Sequence, residues 1–181
     1  MKLKTLAVAA MALLALSSIP ADAAATLPGG ATSLNEVHAD WLVKCQVRTT
    51  GTDSATACSI LQQQVDKGTN RRVLTLALTP GDDGGIKGTL VMPFGLDLDK
   101  GVTLQIDAGP LTPPLHFQTC MPGGCLIQLD WPASTVKALR SATTLKAAGV
   151  AVGAQPAPFS ISLNGFAGAL DRAIELTAAK Q

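Results

Sequence analysis

The chain has 181 residues, 47% hydrophobic and 15% charged, with 14 Lys and Arg against 13 Asp and Glu for a net charge of +1. That length suits one ordinary domain, and the hydrophobicity excludes intrinsic disorder, which needs few apolar residues and a high net charge. No long basic run offers a footprint for a phosphate backbone, and with 3% aromatics and no Tyr the chain has little to stack on bases, so no nucleic-acid partner is expected.

Residues 1–23 read as a secretory signal peptide. Lys2 and Lys4 supply a positive start, residues 6–16 form an apolar run, Pro20 ends it, and Ala21-Asp22-Ala23 places small residues before a cleavage site. The run is shorter than the roughly 20 residues of a membrane-spanning helix, and no Cys follows it for a lipid anchor. Cleavage after Ala23 predicts a periplasmic or secreted protein with no membrane span. It removes Lys2, Lys4 and Asp22, which leaves acidic and basic side chains in balance and no net charge to steer the product to an anionic surface.

Residues 24–37, rich in Ala, Gly, Thr and Ser with a turn at Pro28-Gly29-Gly30, read as a flexible leader. A single domain is expected over residues 38–181. Residues 41–47 alternate, with Trp41, Val43, Cys45 and Val47 on one face and Lys44 and Gln46 on the other, which predicts a half-buried strand. Residues 48–56 are polar and read as a loop. A strand is expected over 57–65, solvated around Gln62, Gln63 and Gln64, and another over 72–79, with Leu74, Leu76 and Leu78 on one face. After the turn signal Pro80-Gly81-Asp82-Asp83-Gly84-Gly85, residues 86–92, 102–107, 115–120 and 125–130 read as further strands. A helix is expected over 132–142, with Pro in its first turn, then strands over 144–152 and 159–163. A second helix is expected over 165–178, with Phe166, Leu170, Ala173, Ile174 and Thr177 at helical spacing and Asp171, Arg172 and Glu175 opposite. Many short strands separated by turn signals predict an all-β protein, a β-sandwich with one or two peripheral α-helices.

Four cysteines, Cys45, Cys58, Cys120 and Cys125, follow the signal segment. An even count in an exported chain reads as two disulfides. Three pairings are open. The local one joins Cys45 to Cys58 and Cys120 to Cys125, because adjacent antiparallel strands bring side chains within bridging distance; the other two cross between the segments. Redox chemistry is an alternative use of Cys120 and Cys125, although four residues separate them where thiol oxidoreductases have two. Zinc would need all four thiols reduced, which an oxidising compartment opposes.

Other chemistry is thinly supplied. His38 and His116 have no ligand spacing. No serine lies in a Gly-x-Ser-x-Gly elbow to pair with His116. Asp82 and Asp83 offer too few oxygens for calcium and suit a hairpin tip. Asp97, Asp99 and Asp107 could imitate a glycosidase carboxylate pair, but the aromatics that line a sugar cleft are scarce. Neither catalytic residues nor a cofactor or metal site is expected.

Taken together, several segments resemble one family. They are Asp40-Trp41-Leu42-Val43-Lys44-Cys45, Cys58-Ser59-Ile60-Leu61-Gln62, Val91-Met92-Pro93-Phe94-Gly95-Leu96, Leu98-Asp99-Lys100-Gly101-Val102, Leu104-Gln105-Ile106-Asp107, Phe117-Gln118-Thr119-Cys120 with Gly124-Cys125, and Ile161-Ser162-Leu163-Asn164-Gly165-Phe166 leading into Ala169-Leu170. Over residues 38–179 the chain resembles the invasion associated locus B proteins of bacteria. The resemblance implies an exported protein with an immunoglobulin-like β-sandwich and no established catalytic residues, so that only the cysteines carry over from the family. The expected function is that of a disulfide-stapled, non-catalytic envelope protein that works through protein–protein contacts with a partner in the cell envelope or on a host surface. The alternative is an envelope enzyme or thiol-redox factor using Cys120 and Cys125.

Overall fold

The computed structural model describes residues 27–178 apart from 52 and 71; the expected signal peptide lies outside the described residues. Period-2 alternation sets the larger sheet. It contains β1 (Ser33–His38), β2 (Trp41–Thr50), β3 (Asp53–Val65), β4 (Arg72–Pro80), β5 (Ile86–Met92), β7 (Thr119–Met121) and β8 (Gly124–Trp131), all antiparallel, in the order β1-β2-β3-β4-β5-β8-β7. On its inner face Trp41, Val43 and Cys45 of β2 continue across to Leu74, Leu76 and Leu78 of β4 and Ile127 and Leu129 of β8, all buried. A smaller sheet has the order β10-β9-β6, from β6 (Thr103–Ile106), β9 (Thr144–Val150) and β10 (Pro156–Ser162). Leu104, Leu145, Ala147 and Ile161 from it join the same core. Two helices complete this β-sandwich, α1 (Ala133–Ser141) and α2 (Phe166–Ala178).

Helix α2 lies on β2 and β3 through Phe166, Ala169, Leu170, Ala173 and Leu176. The Phe166 ring meets Trp41 edge-on, with centroids 5.1 Å apart. The buried stripe is turned from the expected one: Ile174 is 43% exposed, and Leu176 takes the inward place. Both leucine and isoleucine fit an apolar stripe, so composition alone does not choose between the two phases.

Three local expectations are corrected. From Leu27 onward the segment expected to be a flexible leader is ordered against the domain. Leu27 is buried, the Pro28-Gly29-Gly30 turn folds the chain back so that the Leu27 N–H donates to the Ala31 carbonyl at 3.1 Å, and residues 33–38 form β1. As an edge strand β1 alternates only between exposed and half-buried positions, so it is specified by backbone pairing with β2 and carries little apolar signal. The polar stretch 48–56 continues the β2–β3 hairpin as far as the Thr50–Asp53 pair; its tip projects into solvent, which explains its polarity. The strand expected over 115–120 is split. The N–H and C=O of Leu115 both bond to Val102, and it is Thr119–Met121 that pairs with β8 as a strand, just after the Gln118 N–H donates to the Leu126 carbonyl at 2.8 Å.

Candidate functional site

The cysteines lie directly opposite one another in two hairpins. Cys45 on β2 faces Cys58 on β3 and is bridged to it, with a Cα separation of 4.1 Å. Cys120 on β7 is bridged to Cys125 on β8 across the Pro122-Gly123 turn, with a Cα separation of 3.9 Å. The local pairing is therefore the one adopted, and no free cysteine remains. The environments differ. Cys45 and Cys58 are buried in the middle of the sheet. Cys120 is exposed on the outermost strand, while Cys125 is buried.

The aspartates weighed as calcium ligands or as a catalytic pair are mostly turn-makers. Asp83 accepts the Gly85 N–H at 3.0 Å, and Asp97 accepts the Asp99 N–H at 3.2 Å. Asp107 accepts the Thr143 hydroxyl at 2.9 Å and the Thr144 N–H at 2.8 Å, tying the end of β6 to the start of β9. Those bonds hold its carboxyl below the usual aspartate range, the Thr143 side chain contributing most. His116 is exposed in the segment before β7, and His38 stands 3.5 Å from the Glu36 carboxylate. Among the described residues, no three His, Cys, Asp or Glu side chains are grouped to hold a metal ion.

Gln62 departs from the solvated stretch expected around it. Its side chain is only 6% exposed, because it shares the inward face with Cys58 and Ile60. Its amide donates to the Ser162 carbonyl at 2.8 Å and accepts the Ser162 N–H at 3.2 Å. Trp41 Nε1 donates to the same carbonyl at 3.0 Å, and the Ser162 hydroxyl donates to Asp40 at 2.6 Å. The family-like segments at 40–45, 58–62 and 161–166 thus meet in one polar clamp at the edge of the core.

A surface cleft forms where three turns meet at one end of the large sheet. It has a volume of about 680 Å³ and is lined by Asp66, Arg72, Phe94, Pro122 and Gly123 among others. A second, more apolar cleft of about 470 Å³ lies between β6, the 109–112 loop and α1, with Trp131 in its wall. Sequence reasoning located neither. Phe94, an aromatic residue between Pro93 and Gly95, is the available signal for the first.

The family model for invasion associated locus B (IalB) protein matches residues 41–173. The chain is similar to Invasion protein B homologs from two Brucella abortus strains, with 46% identity over 166 residues, covering 90% of this chain and 91% of each relative. It is similar to Invasion protein B of Bartonella bacilliformis, with 31% identity over 84% of this chain and 81% of that protein. A crystal structure of invasion associated protein B from Bartonella henselae superimposes with a TM-score of 0.71 at 32% sequence identity, covering 80% of this chain and 97% of that one. Its cysteine hairpins, its clamp segments and these relatives agree: the chain belongs to the invasion associated locus B family.

Proposed function

We propose that this protein is an exported, non-catalytic member of its family that acts through protein–protein contacts, with two disulfides stapling the domain for life outside the cytoplasm. The observation that carries the reading is the set of exposed apolar side chains, Val65, Phe94 and Met121, at strand ends along one end of the large sheet, with Phe94 in the wall of the cleft there; exposed apolar surface marks interaction sites. Export is supported by the signal-like residues 1–23 and by the bridges, which persist in oxidising compartments. The relatives are named invasion proteins, which supports a host surface, beside the bacterial envelope, as a place to look for the partner. The test is amine-directed cross-linking in intact cells, through surface lysines such as Lys44 and Lys87. A discrete heterologous complex is the expected result, and its absence in cells that export the protein overturns the reading.

The exposure of Cys120 favours a second reading, a thiol-redox factor. In that case a partner thiolate attacks Cys120 Sγ, and Cys125 leaves as a thiolate. A thiol titration of the native exported protein separates the two: no reactive thiol is expected for a staple, and two for an exchange factor isolated reduced.

A further inference from the structure

We propose that the cleft between the β3–β4 turn, the segment after β5 and the β7–β8 turn receives an extended apolar segment of a partner protein, and that Arg72 binds a carboxylate carried by that segment. This rests on the protein-contact reading above and assigns it a surface.

The sheet register assembles the cleft from chain-distant residues. Thr75 pairs with Val91 and Met92 with Cys125, so continuing both registers brings Arg72, Phe94 and Gly123 into one row. Val65 lies opposite Arg72, and Met121 opposite Gly124. Val65 is 49% exposed, Phe94 61% and Met121 55%. Exposed Val152 is tied to the residue after Phe94, its N–H donating to the Gly95 carbonyl at 2.9 Å.

Arg72 supplies the charge. Its guanidinium lies across the turn, with Nη2 2.7 Å from where a side chain at Gly123 would begin; glycine leaves it that room. It has no anionic partner among the described residues. Asp66, the acid lining the cleft, accepts the Thr69 N–H at 2.8 Å and hydroxyl at 2.7 Å with one oxygen. An uncompensated guanidinium offers a planar fork of donors that matches a carboxylate. Arginine among apolar and aromatic side chains is also the composition of interface hot spots.

Two features favour a peptide segment over a bilayer. The surface is concave, and β7 is an edge strand of the sheet among the described residues, so an extended chain can pair with its outward backbone groups. The Cys120–Cys125 bridge then has a second consequence, since it fixes the turn that forms one wall.

The test is selection of a random linear-peptide phage library against the bridged protein, followed by affinity measurements on R72Q, F94S and G123A. All three positions lie at the surface, and folding is checked by circular dichroism. The expected peptides carry Asp or Glu beside Leu, Phe, Met or Val. R72Q and F94S should each weaken them by about tenfold or more. G123A should weaken them too, because its methyl displaces a movable guanidinium and meets no backbone atom within contact range. Enriched peptides that lack an acid, or that bind all variants equally, overturn this surface while leaving the protein-contact reading standing. Failure to enrich any peptide overturns it as well. So does sedimentation with phosphatidylglycerol vesicles that R72Q abolishes without any peptide enrichment, which would assign the cleft to an anionic membrane.

Discussion

Arg172 holds Glu36 by two parallel hydrogen bonds, Nε to Oε2 at 2.8 Å and Nη2 to Oε1 at 2.9 Å. The pair joins α2, near the end of the chain, to the edge strand β1. These bonds, above all the side-chain bonds from Arg172, hold the Glu36 carboxyl below the ordinary glutamate value. A depressed carboxyl pKa contributes stability that is complete above the unfolded-state value and is lost as pH falls through the folded-state value. Thermal melts should therefore show a stability loss setting in below about pH 4.5, and E36Q should flatten that slope. E36Q should also melt lower at neutral pH. Identical slopes for the two proteins would show that the pair does not couple folding to pH.

The phase of α2 can be tested by two truncations. Leu170 is 1% exposed, whereas Ile174 is 43% exposed. L170A removes buried methyl groups from the contact with β2 and β3 and should cost about 2–5 kcal/mol. I174A should stay within about 0.5 kcal/mol of the parent, as surface substitutions do. Urea melts of both variants check the pair, and a larger cost for I174A would place the other stripe inward.

Strict alternation from Trp41 to Val47 placed Cys45 on the inner face, and hairpin geometry then reached the correct bridge partner. Alternation failed at Gln62, because Gln63 and Gln64 beside it obscured which glutamine faces inward. The buried one is recognised only by its bonds to Ser162, which is 100 residues away. Strand β1 escaped notice because an edge strand can be held by backbone pairing without an apolar face. The Arg72 cleft escaped it because Val65, Arg72, Phe94 and Gly123 become neighbours only once β8 is known to pair with β5.

Gly165 begins the turn into α2 at φ +86°, and a side chain there would strike the His38 carbonyl oxygen. Gly153 has φ +96° but open space around it. The left-handed conformation costs a non-glycine residue about 1–2 kcal/mol, so G153A should lose about that much. G165A should lose more, because its methyl must also push β1 away from the start of α2. Equal shifts in denaturant midpoint for the two variants would remove the contact with His38 as a cause.

The two bridges should differ in both energy and reactivity. Closing the longer loop between Cys45 and Cys58, 13 residues apart, restrains the unfolded chain more than closing the five-residue separation of Cys120 and Cys125. Loop entropy alone gives about 3 kcal/mol for the first and about 2 kcal/mol for the second. Burial widens the gap: replacing Cys45 and Cys58 by alanine also empties space in the middle of the sheet, whereas Cys120 faces solvent. The double variant C45A/C58A should therefore lie at the upper end of the roughly 2–5 kcal/mol seen when a small secreted domain loses one native bridge, and C120A/C125A at the lower end. Reactivity should run the other way. A reductant must reach a sulfur, and Cys120 is open on the sheet edge while Cys45 and Cys58 are buried. Mild reduction followed by alkylation and peptide mapping should label Cys120 and Cys125 first, with Cys45 and Cys58 appearing only when the domain unfolds. Simultaneous labelling of all four would mean that the buried bridge is reached by a local opening, and that the sheet around β2 and β3 is looser than its packing indicates.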